Sequence, residues 1–445
     1  MECVVLDVLR TPELQRLRRV RQLGLAHFVF PGAEHSRLVH SLGSAHLAIR
    51  FAKQLSAVGE DQYIRALLPG DTAIRDVAVA ALCHDLGHGP LSHAFEKEVV
   101  GRDFNREAWI TTLGISAERE LISGAKWHEM VGHALLAWED GQLHKLLEER
   151  ERGLSLRIRH LLRGKYHPYY LGSLLRGEVD VDRADFIRRD AHQTGVAYGR
   201  YDLDWLISTC GIGVDSSNKL VVGFDERKSI RVVEQFLIAR RALYETVYYH
   251  KTVHCIEGMV ALFLRRLRDV VRAGSDLGND RFVAPYVAVA AGEAVSQKDL
   301  LVLDDFSLWV LIDSVANDQR ADDTLRDLGR RIIARDLFKQ VSCDDRRLAE
   351  FLKRPTWQSE VLEVVQRFCP GPPEYYLVYD PIEIRFFAED RSEWGHFLDS
   401  DRRASPFRDH PSLHAYSPRP EGWARLFTLK EATEDVSKMI AGDWR

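Results

Sequence analysis

The stretch HDLGHGPLSH, residues 84–93, is the strongest indication of the fold of this 445-residue chain, because it contains three histidines at the end of a predicted helix. Residues 72–86 repeat apolar side chains at helical spacing, which predicts an amphipathic helix with His84 and Asp85 in its last turn. The glycines and proline that follow end this helix, and a second helix should begin near Leu91. An imidazole beside a carboxylate offers one nitrogen and one oxygen ligand to a divalent metal ion.

The composition is that of an ordinary globular protein, with 45% hydrophobic and 29% charged residues. The balance of 61 basic against 66 acidic residues gives a net charge of −5, so no bulk positive field attracts nucleic acid or an anionic membrane. We find no secretory signal and no apolar run of the roughly 20 residues that span a bilayer. Six dispersed cysteines without a CxxC pair predict reduced, mostly buried thiols in a cytoplasmic protein.

Helical periodicity dominates the first 270 residues or so, which predicts a mainly α-helical protein. Two long helical patterns run from Thr11 to Leu23 and from Val232 to Leu267, and a hairpin arm is predicted over residues 219–224. Prolines near 370 precede β-prone segments and a closing helix from about Leu429. The predicted organisation is a catalytic core over residues 1–270, a helical extension over 271–370 and a small α+β C-terminal region over 371–445.

Two further motifs with histidine and aspartate lie on either side of residues 84–93 in the sequence. They are PGAEHSRLVHSLG at residues 31–43 and VDVDRADFIRRD at residues 179–190. A lone His, then His-Asp, then a late Asp resembles the metal signature of the HD phosphohydrolase superfamily, and this resemblance predicts the HD-domain helical fold. It implies that four side chains bind a divalent metal ion. The identity of this ion stays open among Mn, Fe, Zn and Mg. The implied ligands are His40, His84, Asp85 and Asp182.

Two more motifs, LRTPELQRLR at residues 9–18 and QLG at residues 22–24, extend the resemblance. Together with residues 84–93 they resemble the deoxynucleoside triphosphate (dNTP) triphosphohydrolases, in particular the HD core of the animal enzymes that join a SAM domain to an HD domain. The similarity covers about residues 8–265. It implies metal-dependent hydrolysis of dNTP at the α-phosphorus to deoxynucleoside and triphosphate, control of dNTP levels, and a homo-oligomer, dimer or tetramer.

The reaction needs groups that move protons. His93 and Glu96 are three residues apart on the second predicted helix, so the carboxylate can orient the imidazole. The family resemblance assigns His93 to a catalytic dyad, His128 to a further active-site histidine and His88 to a contact with the α-phosphate. For His128 a purely structural role stays open.

The resemblance also implies the substrate contacts. A triphosphate carries about four negative charges, which guanidinium groups neutralise and orient. The matching positions are Arg37, Arg183 and Arg240 for the phosphates, Gln22 and Asp190 for the 3′-hydroxyl, and Leu23 and Tyr248 for the ribose face. A closely packed sugar excludes a 2′-hydroxyl and favours deoxyribose. Phe186 stands where relatives have Tyr, so a hydroxyl that would touch phosphate is missing.

Three alternatives stay open. Arg10 replaces an acidic residue that nucleotide-activated relatives use, although Gln15 and Arg18 match, so an allosteric nucleotide between subunits is one alternative. An HD nucleotidase or phosphodiesterase would need the same metal site but fewer phosphate-binding cations. A non-catalytic nucleotide sensor, or a weak binder of single-stranded nucleic acid, would keep the fold. The intact ligand set and the His93 and Glu96 pair favour the enzyme.

Overall fold

The structure is a computed structural model that describes residues 2–57, 70–91, 93–101, 104–275, 277–278, 280–384, 387, 395–416 and 421–442. The fold is mainly α-helical, as predicted, with two small sheets. The α-helices are Glu2–Leu9, Pro12–Gln15, Arg37–Ala57, Asp71–Cys83, His93–Phe95, Arg106–Thr112, Trp127–Ala137, Gln142–Arg150, Leu154–Leu162, Val181–Thr194, Leu203–Ser208, Glu226–Leu243, Lys251–Arg272, Ala284–Ala291, Gln297–Leu300, Asp305–Asn317, Asp323–Ala334, Asp345–Phe351, Trp357–Val365 and Thr433–Ala441. None of them is long and apolar enough to cross a bilayer.

Three helices form the framework of the site. The helix Arg37–Ala57 packs against both Asp71–Cys83 and Val181–Thr194. Gly43 permits the second contact, because a Cβ atom there would lie 1.8 Å from Oδ1 of Asp185. The absence of a side chain at this position therefore sets how closely these helices approach.

The predicted helix from Thr11 to Leu23 is shorter than expected. It is α-helical over Pro12–Gln15 and continues as a 3₁₀ turn over Arg16–Arg19. The chain then becomes extended, because the amide of Gln22 donates to the carbonyl of His35 at 3.0 Å and replaces a helical hydrogen bond. This pairing brings the residues after the turn alongside the start of the helix Arg37–Ala57.

The pattern from Val232 to Leu267 is not one helix but two. Glu226–Leu243 ends in a π-helical turn, Tyr244–Tyr248, and Lys251–Arg272 begins after a break. A π turn adds one residue to a helix without erasing its apolar periodicity, which is why the sequence pattern does not show the break. The helix predicted over residues 72–86 also ends earlier than expected, at Cys83. His84 therefore caps this helix, and Asp85 lies in the turn that follows.

The two sheets join distant parts of the chain. The strands are β1 (Cys210–Val214), β2 (Leu220–Asp225), β3 (Lys339–Gln340), β4 (Leu377–Ile384), β5 (His396–Leu398), β6 (Ala404–Pro406) and β7 (Glu421–Thr428). One sheet has the order β1-β2-β5-β6 and the other β3-β7-β4. β1 and β2 form the predicted hairpin, with Cys210 opposite Phe224, and β5 runs parallel to β2.

One large cluster of buried apolar residues runs through all three predicted regions. The helix Lys251–Arg272 packs against Ala284–Ala291, Asp323–Ala334 and strand β4, so it connects the catalytic core to both later regions. The predicted closing helix is present as Thr433–Ala441. The boundaries near residues 270 and 370 stay predictions, since strands on both sides of each boundary share sheets.

Candidate active site

Three of the four predicted metal ligands converge on one point. Nε2 of His40 lies 2.9 Å from Oδ1 of Asp182 and 3.2 Å from Nε2 of His84. The distance from Nε2 of His84 to Oδ1 of Asp182 is 3.7 Å. All three donor atoms lie within 4.8 Å of one another. Two imidazole nitrogens and a carboxylate oxygen suit a divalent transition-metal ion, and the donors fit one.

The rest of the structure fixes the orientation of both imidazoles. Nδ1 of His40 pairs with Oδ2 of Asp185 at 2.8 Å, and Nδ1 of His84 pairs with the carbonyl of Ala81 at 2.7 Å. Asp185 is itself held by Arg189 at 2.7 and 2.8 Å. Metal-binding histidines typically use their second nitrogen in this way. Burial opposes charge at His40, yet the carboxylates of Asp182 and Asp185 raise its pKa to about 10, so the cluster favours a cation.

We expect Asp185→Asn to lower metal affinity about 10- to 100-fold, because the amide weakens the hydrogen bond that orients His40. Titration with Mn²⁺ followed by calorimetry measures this change. Asp204→Asn is the matched control, since Asp204 is an exposed helical aspartate whose arginine partner is Arg50. Equal Mn²⁺ affinity in the two variants would contradict the orienting role.

Asp85 lies beside this cluster. Its Oδ1 is 3.4 Å from Nε2 of His84, and its Oδ2 is 2.6 Å from Nη1 of Arg37. Burial would raise the pKa of Asp85, but Arg37, His84 and His88 hold it well below the usual value. The carboxylate is therefore ionised and adjacent to the donors, and its role as a fourth ligand stays a prediction.

Next to the donors is a pair of stacked histidines. The rings of His88 and His128 lie 4.3 Å apart at 14°. Nδ1 of His128 pairs with Oε2 of Glu96 at 2.7 Å, and Oε1 of Glu96 accepts the amide of Trp127 at 2.9 Å. Glu96 therefore orients His128. The side chain of His93, the predicted partner of Glu96, lies outside the described residues, and its role stays a prediction.

Burial and the nearby Arg37 lower the pKa of His88 well below its usual value. Its Nε2 lies 3.3 Å from Oδ1 of Asp85. The ring is therefore neutral at neutral pH and offers a hydrogen bond rather than a charge. Gly87 brings the histidines together, because a Cβ atom there would lie 1.9 Å from the carbonyl oxygen of His128.

A cavity of about 220 Å³ adjoins the site. It brings together four of the predicted substrate residues, Gln22, Leu23, Arg37 and Tyr248. Asp190 is buried behind Tyr248. One of its oxygens accepts the Tyr248 hydroxyl at 2.7 Å and the other pairs with Nε2 of His35 at 2.8 Å. The ring of Phe186 lies 6.1 Å from that of Tyr248.

A second cavity of about 220 Å³ is lined by two residues of the donor cluster, His84 and Asp182, and by both stacked histidines. Its other charged lining includes Arg159, Arg163 and Arg176, none of which the sequence interpretation selected. The four-residue spacing of Arg159 and Arg163 places them on one helix face, but the direction of that face depends on tertiary packing.

The other two predicted phosphate-binding arginines line neither cavity. Nη1 of Arg183 donates to the carbonyl of Gly177 and lies 3.1 Å from Oδ2 of Asp180. Burial and the charge of Arg183 lower the pKa of Arg240. Their contacts with a triphosphate therefore stay predictions.

Sequence reasoning missed Asp305, a buried residue of the helical extension. Its Oδ2 accepts the amide of Arg21 at 2.8 Å and its Oδ1 accepts the amide of Leu91 at 2.9 Å. Leu91 has a φ of +47°, an unusual conformation for a residue with a branched side chain. Asp305 thus anchors two segments that line the first cavity. A separation of 214 residues or more leaves no local signal for this role.

Arg16 was also missed, and it anchors the segment after the His-Asp pair. Its guanidinium is fully buried and donates to the carbonyls of Leu86, His88 and Leu303 at 2.7 to 2.8 Å. Burial lowers its pKa to about 10, so it still carries its charge at neutral pH. Arg16 therefore fixes the backbone of the segment that carries His88.

Comparison with known proteins agrees with this geometry. The HD domain family model matches residues 37–189. The uncharacterized protein YwfO of Bacillus subtilis is 28% identical over 382 residues, covering 85% of this chain and 75% of that protein. The chicken protein named deoxynucleoside triphosphate triphosphohydrolase SAMHD1 is 30% identical over 268 residues, or 58% of this chain. The match spans only 42% of the chicken protein's length.

The same fold occurs in solved structures. A crystal structure of a phosphohydrolase from Bacteroides thetaiotaomicron superposes with a TM-score of 0.71, covering 96% of this chain and 95% of that chain at 23% identity. At this identity the likeness shows the fold alone. The metal-donor cluster, the family match and the curated relatives agree with the sequence interpretation. Residues 37–189 therefore match the HD domain, and the chain is similar to proteins named deoxynucleoside triphosphate triphosphohydrolases.

Proposed function

We propose that the protein is a metal-dependent dNTP triphosphohydrolase that cleaves dNTP to deoxynucleoside and inorganic triphosphate. One observation carries this proposal: Arg37 lines the cavity that holds the predicted sugar-binding residues and also bonds Asp85, which lines the cavity of the metal donors. A nucleotide whose sugar lies near Gln22 and Tyr248 would therefore present its α-phosphate to the donor cluster. The relatives named as dNTP triphosphohydrolases support the same substrate class.

His40, His84 and Asp182 would hold the ion, with Asp85 adjacent. A divalent ion in such a site lowers the pKa of water and polarises phosphoryl oxygens. Arg37 orients the phosphate by a charge-assisted hydrogen bond. In the tautomer whose Nδ1 donates to Glu96, the ring of His128 has its lone pair on Nε2, which can take a proton from water and then pass that proton to the departing oxygen.

The sugar contacts follow from the first cavity. Asp190 fixes the Tyr248 hydroxyl, so the phenol ring is held in one place against the cavity. Leu23 supplies an apolar surface beside it. A rigid wall of this kind discriminates by excluding the extra hydroxyl of ribose rather than by binding deoxyribose more tightly.

We expect chromatography to show intact triphosphate and deoxynucleoside as the first products from dNTP, and no turnover of ribonucleotides. The assay uses purified protein with each dNTP and rNTP, with Mn²⁺ or Mg²⁺, beside an Asp85→Ala variant in which turnover should be lost. Release of orthophosphate or pyrophosphate first would contradict attack at the α-phosphorus. Equal turnover of ribonucleotides would contradict the proposed sugar contacts.

A second candidate is an HD nucleotidase or phosphodiesterase. It is favoured by the positions of Arg183 and Arg240, which line neither of the two cavities described above, since a monophosphate needs fewer cations. Turnover of a deoxynucleoside monophosphate or a cyclic nucleotide in the same assay, without turnover of dNTP, would support this reading.

The remaining predictions concern the setting of the reaction. Dimer or tetramer assembly, cytoplasmic location and the identity of the ion stay predictions, as does weak binding of single-stranded nucleic acid. Gln15 and Arg18, the positions that match relatives with a nucleotide activator, hydrogen-bond to each other at 2.6 Å on the surface. An allosteric nucleotide at this place also stays a prediction.

A further inference from the structure

One polar group in the first cavity has no role in the reaction described above. The lining is mostly apolar, and the polar side chains that line it in the described part of the chain are Gln22, Arg37, Tyr248 and Glu257. The first three are the predicted contacts to sugar and phosphate. Glu257 therefore remains for the part of the nucleotide that these residues do not contact, which is the base.

Glu257 is held in a defined place. It lies on the helix Lys251–Arg272, and its carboxyl accepts a hydrogen bond from the amide of Leu25. A Cβ atom at Gly24 would lie 3.3 Å from Oε1 of Glu257. Gly24 has a φ of +50°, so glycine gives this segment both its conformation and its close approach to the carboxyl. The carboxyl is thereby fixed next to Leu23, a predicted ribose contact.

In the part of the chain that the structure describes, no lysine or arginine is among the main charges that act on this carboxyl. Its main neighbouring charges are His254, one turn earlier on the same helix, and Asp380 on strand β4. These two groups are paired with each other at 2.7 Å. Burial raises the pKa of Glu257 to about 7, with His254 opposing the shift and Asp380 adding to it. The carboxyl is half-buried and lines the cavity, so one of its oxygens can accept a hydrogen bond from a molecule bound there.

We propose that Glu257 reads the base of the nucleotide by accepting a hydrogen bond from its exocyclic amino group. The inference rests on the proposed function and adds base selectivity to it. A carboxyl oxygen accepts from the amino group of cytosine or adenine, whereas the carbonyl of uracil or hypoxanthine presents another acceptor at the same position. The protein should therefore prefer amino-bearing bases over carbonyl-bearing bases of equal size.

Two matched substrate pairs test this selectivity, dCTP against dUTP and dATP against dITP. Within each pair the ring size is constant and the amino group is exchanged for a carbonyl. We expect the wild-type kcat/KM to favour the amino-bearing member about tenfold in both pairs. Wild-type ratios near one would overturn the proposal without any variant.

Glu257→Gln provides the second arm. The amide oxygen can still accept the Leu25 amide, while the –NH₂ group now donates, so we expect both ratios to fall about tenfold. Glu363→Gln, on the exposed face of another helix, is the control that should keep the wild-type ratios. If the Glu257→Gln variant has a wild-type melting temperature and unchanged ratios, the carboxyl only accepts the Leu25 amide. It then has no role in base selectivity.

A binding measurement separates this inference from the proposed reaction. Calorimetry of the four nucleotides with wild-type protein in EDTA should give the same affinity order as kcat/KM. If no nucleotide is hydrolysed but amino-bearing nucleotides bind more tightly, the proposed function fails and the role of Glu257 stands. If hydrolysis occurs but neither kcat/KM nor affinity distinguishes the members of a pair, the role of Glu257 in base selectivity is contradicted. The proposed function then stands. Absence of binding and turnover for all four would overturn both.

Discussion

Asp182→Asn should remove bound metal and lower phosphohydrolase turnover at least about 1,000-fold. The substitution keeps the shape of the side chain but removes the negative charge that lies 2.9 Å from Nε2 of His40. Without that charge, the two facing imidazole nitrogens become a weaker neutral pair of donors. The side chain of Asp182 is 37% exposed, so the change should leave the fold intact.

Metal content after extensive dialysis, measured by elemental analysis, and kcat for the best substrate together check this expectation. Asp204→Asn again serves as the control that should retain both properties, since Asp204 is exposed and distant in sequence from the motifs. A variant that keeps a full complement of metal would show that Asp182 is not a ligand. Full metal with lost turnover would instead assign Asp182 to the chemistry.

Asp305→Ala should lower kcat/KM about 100-fold and the free energy of unfolding by about 3 kcal/mol. Both effects have one cause. The carboxylate accepts the amides of Arg21 and Leu91, and alanine leaves these two donors without their partner. The segment that carries Gln22 and the segment that carries Leu91 would then move apart, and both line the first cavity.

Urea denaturation gives the stability change, and steady-state kinetics well below the denaturation midpoint gives the change in kcat/KM. Asp313→Ala is the matched control, because Asp313 lies on the exposed face of the same helix as Asp305. A kcat/KM within twofold of wild type would show that the cavity does not depend on this anchor.

Site residues could be predicted from the sequence where they are adjacent in the chain or lie in short motifs. His84 and Asp85 are adjacent, and His40 and Asp182 lie in compact motifs, so the donor cluster could be predicted before the fold was known. Helix breaks were less visible. The π turn at Tyr244–Tyr248 preserves the apolar pattern on both sides, and the early end of the first long pattern depends on pairing with His35.

Residues that act through distant contacts could not be predicted. Arg16 meets the carbonyl of Leu303 across 287 residues, and Asp305 meets Arg21 across 284 residues. No periodicity or spacing marks such pairs, because each partner looks like an ordinary charged helix residue. Arg183 and Arg240 line neither cavity, and their positions likewise depend on how the helices pack rather than on the motif around each arginine.

The shared sheets also determine the order in which the chain can fold as it leaves the ribosome. Strand β2 has an unpaired edge until β5, which lies more than 170 residues later, has been synthesised. Strand β3 likewise has no partner until β7 has been synthesised. Exposed strand edges invite pairing with other chains. The nascent protein therefore carries the open edge of β2 from residue 225 to residue 396 and that of β3 from residue 340 to residue 421. Chains terminated near residue 370 should aggregate rather than accumulate as a free catalytic core.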